Sequence, residues 1–544
     1  MKIVEALSKK RSGLRISGLD VPLPLLLVGI LVAISTSIPL LYLILRASGA
    51  GTKFFSLLLS PKTLRVLFDS ALLALAVTTL SALIAIPLAF LTVRTNLPFR
   101  RFFSVATVLP LAVPSYVGSY AVIAALGPKG SILQNILEPY GVSRLPTIYG
   151  WTGAILTLTL FSYPYILLTV RASLHSLDPS LEEASRTLGH NQLQTFRLVT
   201  LPHLKPSIAA GSLLVAFYTL SDFGTPSLMR FNSFTRAIYI QYQSSFDRNL
   251  AAVLALTLVA LASLTLLLEY KVRGKVKYYG TSSGAKRKPK DIDLGFWKYP
   301  STAFCLSILG MSLVMPFGVI IFWLVRGLST GQEISFVWSI ALNSLTVSAI
   351  AAVVAVLFAL PVAFLAVRYS GKFTNLLERS TYIGFALPGI VVALSLVFFG
   401  VKYATPLYQT IYMLVFAYVV LFIPQAVGTI RSSMLQISPR LEEAAQTLGK
   451  NTLGAIRYVT LPLTRPGILT GGALVFLTTM KELPATLLLS PTGFNTLATR
   501  VWSATDNAFF ARAAAPSLVI ILVSALSMFI ILSQEKSKEE WVKQ

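Results

Sequence analysis

Residues 171–206 read RASLHSLDPSLEEASRTLGHNQLQTFRLVTLPHLKP, and residues 431–466 read RSSMLQISPRLEEAAQTLGKNTLGAIRYVTLPLTRP. At an offset of 260 they share 18 identities in 36 positions. Both are polar islands in an oily chain. In the first, Asp178-Pro179 reads as a helix N-cap followed by proline at the first helical position. Glu182 and Glu183 fall in the early turns, where carboxylates suit the positive end of the helix. Gly189 sits where a C′ glycine ends a helix. Asn191 opens a second short helix that is expected to stop before Leu201-Pro202. The second island repeats the pattern with Ser438-Pro439, Glu442, Glu443, Gly449, Asn451 and Leu461-Pro462. Leu181, Ala184 and Leu188 lie at i, i+3 and i+7 and form a narrow apolar stripe. Ala184 and Ala444 are small enough for a partner to approach closely. An amphipathic hairpin lying on a membrane surface is the bland alternative, but it does not explain why one hairpin is written twice.

The surroundings of the islands set the class. The chain has 544 residues, 55% hydrophobic and 12% charged, with mean hydropathy +0.72. Soluble domains carry about a quarter charged residues, so this composition describes an integral membrane protein. Apolar runs of spanning length centre on 21–46, 67–93, 102–126, 147–170, 204–221, 248–270, 299–325, 339–367, 378–401, 407–430, 464–480 and 513–533. The expected fold is therefore all-α, with about twelve transmembrane helices. The net charge of +25 does not form one basic patch, which argues against nucleic acid. With the N-terminus inside, 32 of the 46 Lys and Arg fall on inner segments. That asymmetry predicts cytoplasmic N- and C-termini and puts both islands in the cytoplasm. The single cysteine, Cys305, allows no disulfide framework, and His175, His190 and His203 lack ligand-type spacing.

The repeat extends beyond the islands. PLAFLTVR (87–94) matches PVAFLAVR (361–368), and Pro164 matches Pro424. The chain thus divides into a first half over 1–270, a cytoplasmic linker over 271–298 and a second half over 299–544. Six spans per half is an even number, so both halves enter the membrane in the same sense. They are expected to be related by a pseudo-twofold along the membrane normal. Pro114 and Pro388 also correspond, inside apolar runs, and are expected to bend their spans. Asp222 in SDFGTP corresponds to Glu482 in KELPAT, each just beyond the span that follows an island. They are candidate substrate-path carboxylates. The competing reading is that each caps a helix or loop.

The islands resemble the EAA loop of permease subunits of bacterial ATP-binding-cassette importers. The motif stands as Glu183-Ala184-Ser185 with Gly189 and Leu201-Pro202, and as Glu443-Ala444-Ala445 with Gly449 and Leu461-Pro462. The first copy departs at Ser185. The resemblance implies that this loop is a coupling helix seated on a cytoplasmic ATPase. Glu182, Glu183, Ala184 and Gly189, with Glu442, Glu443, Ala444 and Gly449, are then the coupling contacts. The chain has no G-x-x-x-x-G-K-[ST] loop. It is expected to bind no cofactor and to catalyse nothing itself, leaving ATP and Mg to two copies of a separate ABC ATPase.

A finer resemblance, carried by 234–256 and 480–516, is to the ferric-iron importer permeases. It implies a bacterial plasma (inner) membrane protein, embedded in lipid. The ion would be delivered by a periplasmic or lipid-anchored binding protein, and no metal site is expected in this chain. Fused thiamine and aminophosphonate permeases share the architecture. A twelve-span secondary transporter is a third reading, but it requires ionisable groups at mid-span and leaves the paired islands without a role.

Overall fold

The computed structural model describes residues 13–16, 19–49, 51, 53–244, 248–273, 291–331, 335–369 and 371–541. Most of the expected linker, 274–290, lies outside the described residues.

A short antiparallel hairpin, β1 (Gly13–Ile16) and β2 (Leu19–Pro22), precedes an otherwise helical chain. The principal helices of the first half are α1 (Leu23–Ser48), α2 (Pro61–Arg94), α3 (Arg100–Ala112), α4 (Ser115–Leu126), α5 (Trp151–Ser176), α6 (Pro179–Thr187), α7 (Gln192–Ser221), α8 (Gly224–Leu228), α9 (Phe234–Ser244) and α10 (Arg248–Arg273). Those of the second half are α11 (Gly295–Ser329), α12 (Ser335–Arg368), α13 (Lys372–Ala386), α14 (Gly389–Tyr403), α15 (Ile411–Met434), α16 (Arg440–Thr447), α17 (Ile456–Met480), α18 (Pro484–Leu489), α19 (Leu497–Asp506) and α20 (Phe510–Trp541).

Among the described residues, eight helices are long and apolar enough to cross a membrane, or up to ten if each of two bent pairs is one span. The two bent pairs revise the expectation of simply kinked spans at Pro114 and Pro388. α3 and α4 meet at 99°, and α13 and α14 at 103°. The reason is local. A residue before proline is pushed out of the helical region, and Val113 (φ −85°, ψ 116°) and Leu387 (φ −96°, ψ 127°) are both extended. Pro114 and Pro388 then serve as N-caps of the new helices.

The described residues form two compact units that do not follow the halves of the repeat. One gathers residues of 52–334 and 500–525; the other gathers residues of 1–51, 335–499 and 526–544. The first span of each half therefore packs with the other half. In α1, Thr36 Oγ1 donates to Ser380 O at 3.2 Å, and the Tyr42 ring lies 6.1 Å from Phe399 and 6.0 Å from Tyr403. In α11, Leu313, Val314 and Phe317 line a cavity together with Leu109 and Ala112 of α3. The halves 1–270 and 299–544 are units of sequence; one compact unit borrows α1, and the other borrows α11 together with residues of 500–525.

Within each unit the helix before the loop and the helix after it approach closely. A Cβ on Gly211 of α7 would lie 2.4 Å from Thr169 Oγ1 of α5. The corresponding Gly471 of α17 would lie 2.5 Å from Thr429 Oγ1 of α15. Small residues at such crossings let backbones pack without a driving force from water.

Candidate functional site

Each polar island folds as a short helix, a glycine turn and the start of the next long helix. In the first, Ser180 N–H donates to Asp178 Oδ1 at 3.0 Å, which is the expected cap of α6. The second differs. α16 starts at Arg440 with Pro439 at the cap, and no side chain caps it. Both helices end alike. Gly189 and Gly449 adopt φ +87°, the left-handed conformation that only glycine enters cheaply. His190 N–H reaches Ser185 O (3.3 Å) and Gly189 N–H reaches Arg186 O (3.0 Å). Lys450 to Ala445 O (3.1 Å) and Gly449 to Gln446 O (3.0 Å) repeat this pair. These are the two bonds of a Schellman end.

The second helix of each island does not stop before Leu-Pro, as its sequence suggested. It runs on through one π-helical turn, Phe196–Thr200 or Ile456–Thr460, into the following span. A proline ring in an ordinary α-helix collides with the carbonyl four residues back. The wider turn placed just before Pro202 and Pro462 relieves that collision.

The acidic pairs divide. The expectation placed all four glutamates on a docking face, but Glu182 and Glu442 are turned away from it. Glu182 is 8% exposed and accepts from Thr200 Oγ1 at 2.7 Å, with the Arg94 guanidinium 3.5 Å away. Glu442 accepts from Thr460 Oγ1 at 2.9 Å and from Arg368 Nε at 2.9 Å. Arg368 also donates to Ile437 O at 3.1 Å. Arg94 and Arg368 are the last residues of the repeated PLAFLTVR and PVAFLAVR segments. Their role was not assigned from sequence, although the duplication that contained them was visible. Arg94 is 2% exposed, and a charge is held at such burial only when it is paired. Each arginine–glutamate pair fastens the loop to the end of α2 or α12.

A second arginine opens each loop. Arg171 donates to Ser104 O at 2.6 Å, and Arg431 pairs with Glu378 at 3.1 Å. These contacts bind the end of α5 to α3, and the end of α15 to α13.

The outward face carries the remaining expected residues. Glu183, Ala184 and Gly189 are exposed, as are Glu443, Ala444 and Gly449. Leu188 is 78% exposed and Leu448 83%, and Leu181 and Leu441 also stand out from the surface. Each loop thus presents two leucines, a small alanine and one carboxylate, an apolar knob with a charged rim. Ser185 faces inward. Its Oγ lies 3.2 Å from both His190 Nδ1 and Thr195 Oγ1. The second loop has Ala445 and Ala455 at the two matching positions, both buried. A buried hydroxyl pair in one loop is replaced by a buried methyl pair in the other, so the departure from the motif at Ser185 leaves the outer face unchanged.

At the opposite end of the same helices, Asp222 and Glu482 each cap a short helix. Thr225 N–H donates to Asp222 Oδ2 at 2.9 Å, and Ser115 Oγ donates to Oδ1 at 2.5 Å. Ala485 N–H donates to Glu482 Oε1 at 2.9 Å. The capping reading weighed from sequence thus describes their geometry.

The described end of the linker is pinned. Ile292 N–H donates to Arg94 O at 2.8 Å, Asn96 N–H to Ile292 O at 3.1 Å, and Asn96 Nδ2 to Asp293 at 2.7 Å. Arg100 pairs with Asp291 at 2.7 Å. Asp293 is held below the usual carboxylate range, chiefly by the Gly295 N–H and then by Asn96.

Two helical modules, each with a braced loop that offers the same apolar knob, are the architecture of a membrane permease. Comparison with known families agrees. The model for the inner membrane component of binding-protein-dependent transport systems matches twice, over residues 78–277 and 355–537, and the chain belongs to that family. It is 36% identical to the Fe(3+)-transport system permease protein FbpB 2 of Haemophilus influenzae, over 94% of this chain and 98% of that one. It is 26% identical to the ferric transport system permease protein FbpB of Actinobacillus pleuropneumoniae, over 81% of this chain and 67% of that one. The molybdenum transport system permease protein ModB of Escherichia coli is 29% identical over 37% of this chain but 91% of its own length. A separate relative is thus about the length of one half.

Proposed function

We propose that this chain is the permease of a ferric-iron importer, moving the ion into the cytoplasm by alternating access. Ferric substrate is supported by the full-length similarity to a permease named for Fe(3+) transport. The observation that carries the mechanism is the duplicated knob: Leu181, Glu183, Ala184 and Leu188, and Leu441, Glu443, Ala444 and Leu448, each on a loop fastened to its module by an arginine–glutamate pair. Two such knobs suit two copies of an ATPase subunit, one per half, each binding ATP and Mg. A rigid fastening is what lets closure of the ATPase pair reach the spans. Both loops and both termini lie in the cytoplasm on this reading, and a periplasmic or lipid-anchored protein brings the ion to the other face.

The test is co-purification with the ATPase, followed by ATPase assays with binding protein loaded with Fe³⁺, thiamine or an aminophosphonate. Stimulation by the ferric form alone is expected. Stimulation by thiamine and not iron overturns the substrate. Failure of any ATPase to associate overturns the mechanism.

A further inference from the structure

We propose that Asp222, Tyr165 and Tyr218 form a transit site for a hard trivalent cation inside the first half, with Gln425, Thr478 and Glu482 as its weaker counterpart in the second. The inference rests on the ferric reading above and adds the residues that would handle the ion.

The first observation is convergence. Tyr165 follows Pro164 within α5, and Tyr218 lies near the end of α7. Their rings are 5.6 Å apart. Asp222 N–H donates to Tyr218 O at 2.9 Å, so Tyr218 stands one helical turn before the carboxylate, and Ser115 Oγ donates to Asp222 Oδ1 at 2.5 Å. Three helices and the α3–α4 break thus bring two phenols, a hydroxyl and a carboxylate together. The close crossing at Gly211 is what allows α7 to reach α5 here.

The second observation is that the repeat preserves polarity but not residue type. Positions matching Tyr165, Tyr218 and Asp222 carry Gln425, Thr478 and Glu482. Thr478 Oγ1 lies 3.3 Å from Gln425 Oε1. Polar side chains inside spans are costly and mark pathways, and here they recur at the same three places in both halves. Capping accounts for the carboxylates of Asp222 and Glu482, but helix packing needs no oxygen at the other four positions.

The chemistry selects the ligand class. Every donor is oxygen, which suits hard cations over soft ones. A phenol is neutral while the site is empty, which avoids the cost of a buried anion. When the cation arrives, the phenol loses its proton to water and becomes an anionic oxygen ligand. Charge is then present only while its partner is. The amide and hydroxyl of the second half stay neutral, so only Glu482 there is anionic, and the ion is held less tightly.

The test uses the full chain reconstituted with its ATPase and ferric-loaded binding protein. Tyr165→Phe with Tyr218→Phe keeps both rings, and Asp222→Asn keeps a side chain able to cap α8. Among variants that still assemble with the ATPase, iron uptake is expected to fall about tenfold or more for each, and by less for Gln425→Ala with Thr478→Val. Ferric citrate added to the purified chain is expected to produce a visible phenolate-to-iron band that the double Phe variant lacks. Wild-type uptake in these variants, or no band in the unmodified chain, overturns the transit site while leaving the ferric importer intact. No iron uptake by the unmodified complex overturns both.

Discussion

Arg368 and Glu442 are 74 residues apart in sequence, yet the Arg368 Nε and Nη2 nitrogens both lie 2.9 Å from one Glu442 carboxylate oxygen. The pair ties the end of a long span to the helix that carries the second knob. The pair is part-buried, and removing Arg368 takes one of its partners from the Glu442 carboxylate, which keeps Thr460, a loss of about 1–3 kcal/mol. Arg368→Ala is expected to loosen the loop without unfolding the spans. In the reconstituted transporter, iron moved per ATP hydrolysed should fall while the ATPase still turns over. An unchanged ratio would show that the pair does not transmit force.

The knob itself makes a different prediction. Leu188 and Leu448 touch little of the chain that bears them, and surface substitutions of this kind change stability by about 0.5 kcal/mol or less. Leu188→Glu with Leu448→Glu should therefore leave the melting temperature of the purified chain unchanged. Co-purification of the ATPase should drop about tenfold or more, because a desolvated apolar anchor has been replaced by a charge. Normal recovery of the ATPase would remove these leucines from the docking face.

Gly189 and Gly449 test conformation apart from space. No atom lies within 4 Å of a Cβ added at either, so the cost of Ala is the left-handed backbone alone, about 1–2 kcal/mol. Asparagine, which enters that region more readily, should cost less, and valine more. Thermal unfolding of the three substitutions at each site should rank Asn, Ala, Val from mildest to most severe. Equal effects would mean that the Schellman turn does not govern loop stability.

Ser185 and Thr195 should behave as a unit. Ser185→Ala alone takes a partner from the buried Thr195 hydroxyl, at a cost of about 1–3 kcal/mol. Adding Thr195→Ala recreates the Ala445–Ala455 arrangement of the second loop and should recover most of that loss. A double-mutant cycle on thermal stability is expected to give a coupling of roughly 0.5–1.5 kcal/mol. Additive losses would show that the two hydroxyls act separately.

Much of the site was legible in the sequence because its rules are local. Asp178 caps its own helix, and Gly189 and Gly449 end theirs, through contacts a few residues away. The π-turns before Pro202 and Pro462 were not foreseen, because a proline signals that the helix must change without saying whether it stops or widens. The right-angle breaks at Pro114 and Pro388 were underestimated for the same reason. Nothing in LEE distinguishes the glutamate that turns inward from the one that turns out. That choice depends on an arginine contributed by a different span.

By itself, the sequence determined that this is a helical membrane protein, that it is two related halves, and that each half carries one capped, glycine-ended loop. Those follow from hydropathy summed over a span, from self-similarity and from nearest-neighbour capping. Only the tertiary structure decided that the halves exchange their first spans, that Arg94 and Arg368 fasten the loops, and that Tyr165 packs against Tyr218 while Ser115 reaches Asp222. These relationships join residues far apart in the chain, so they are set by how helices pack.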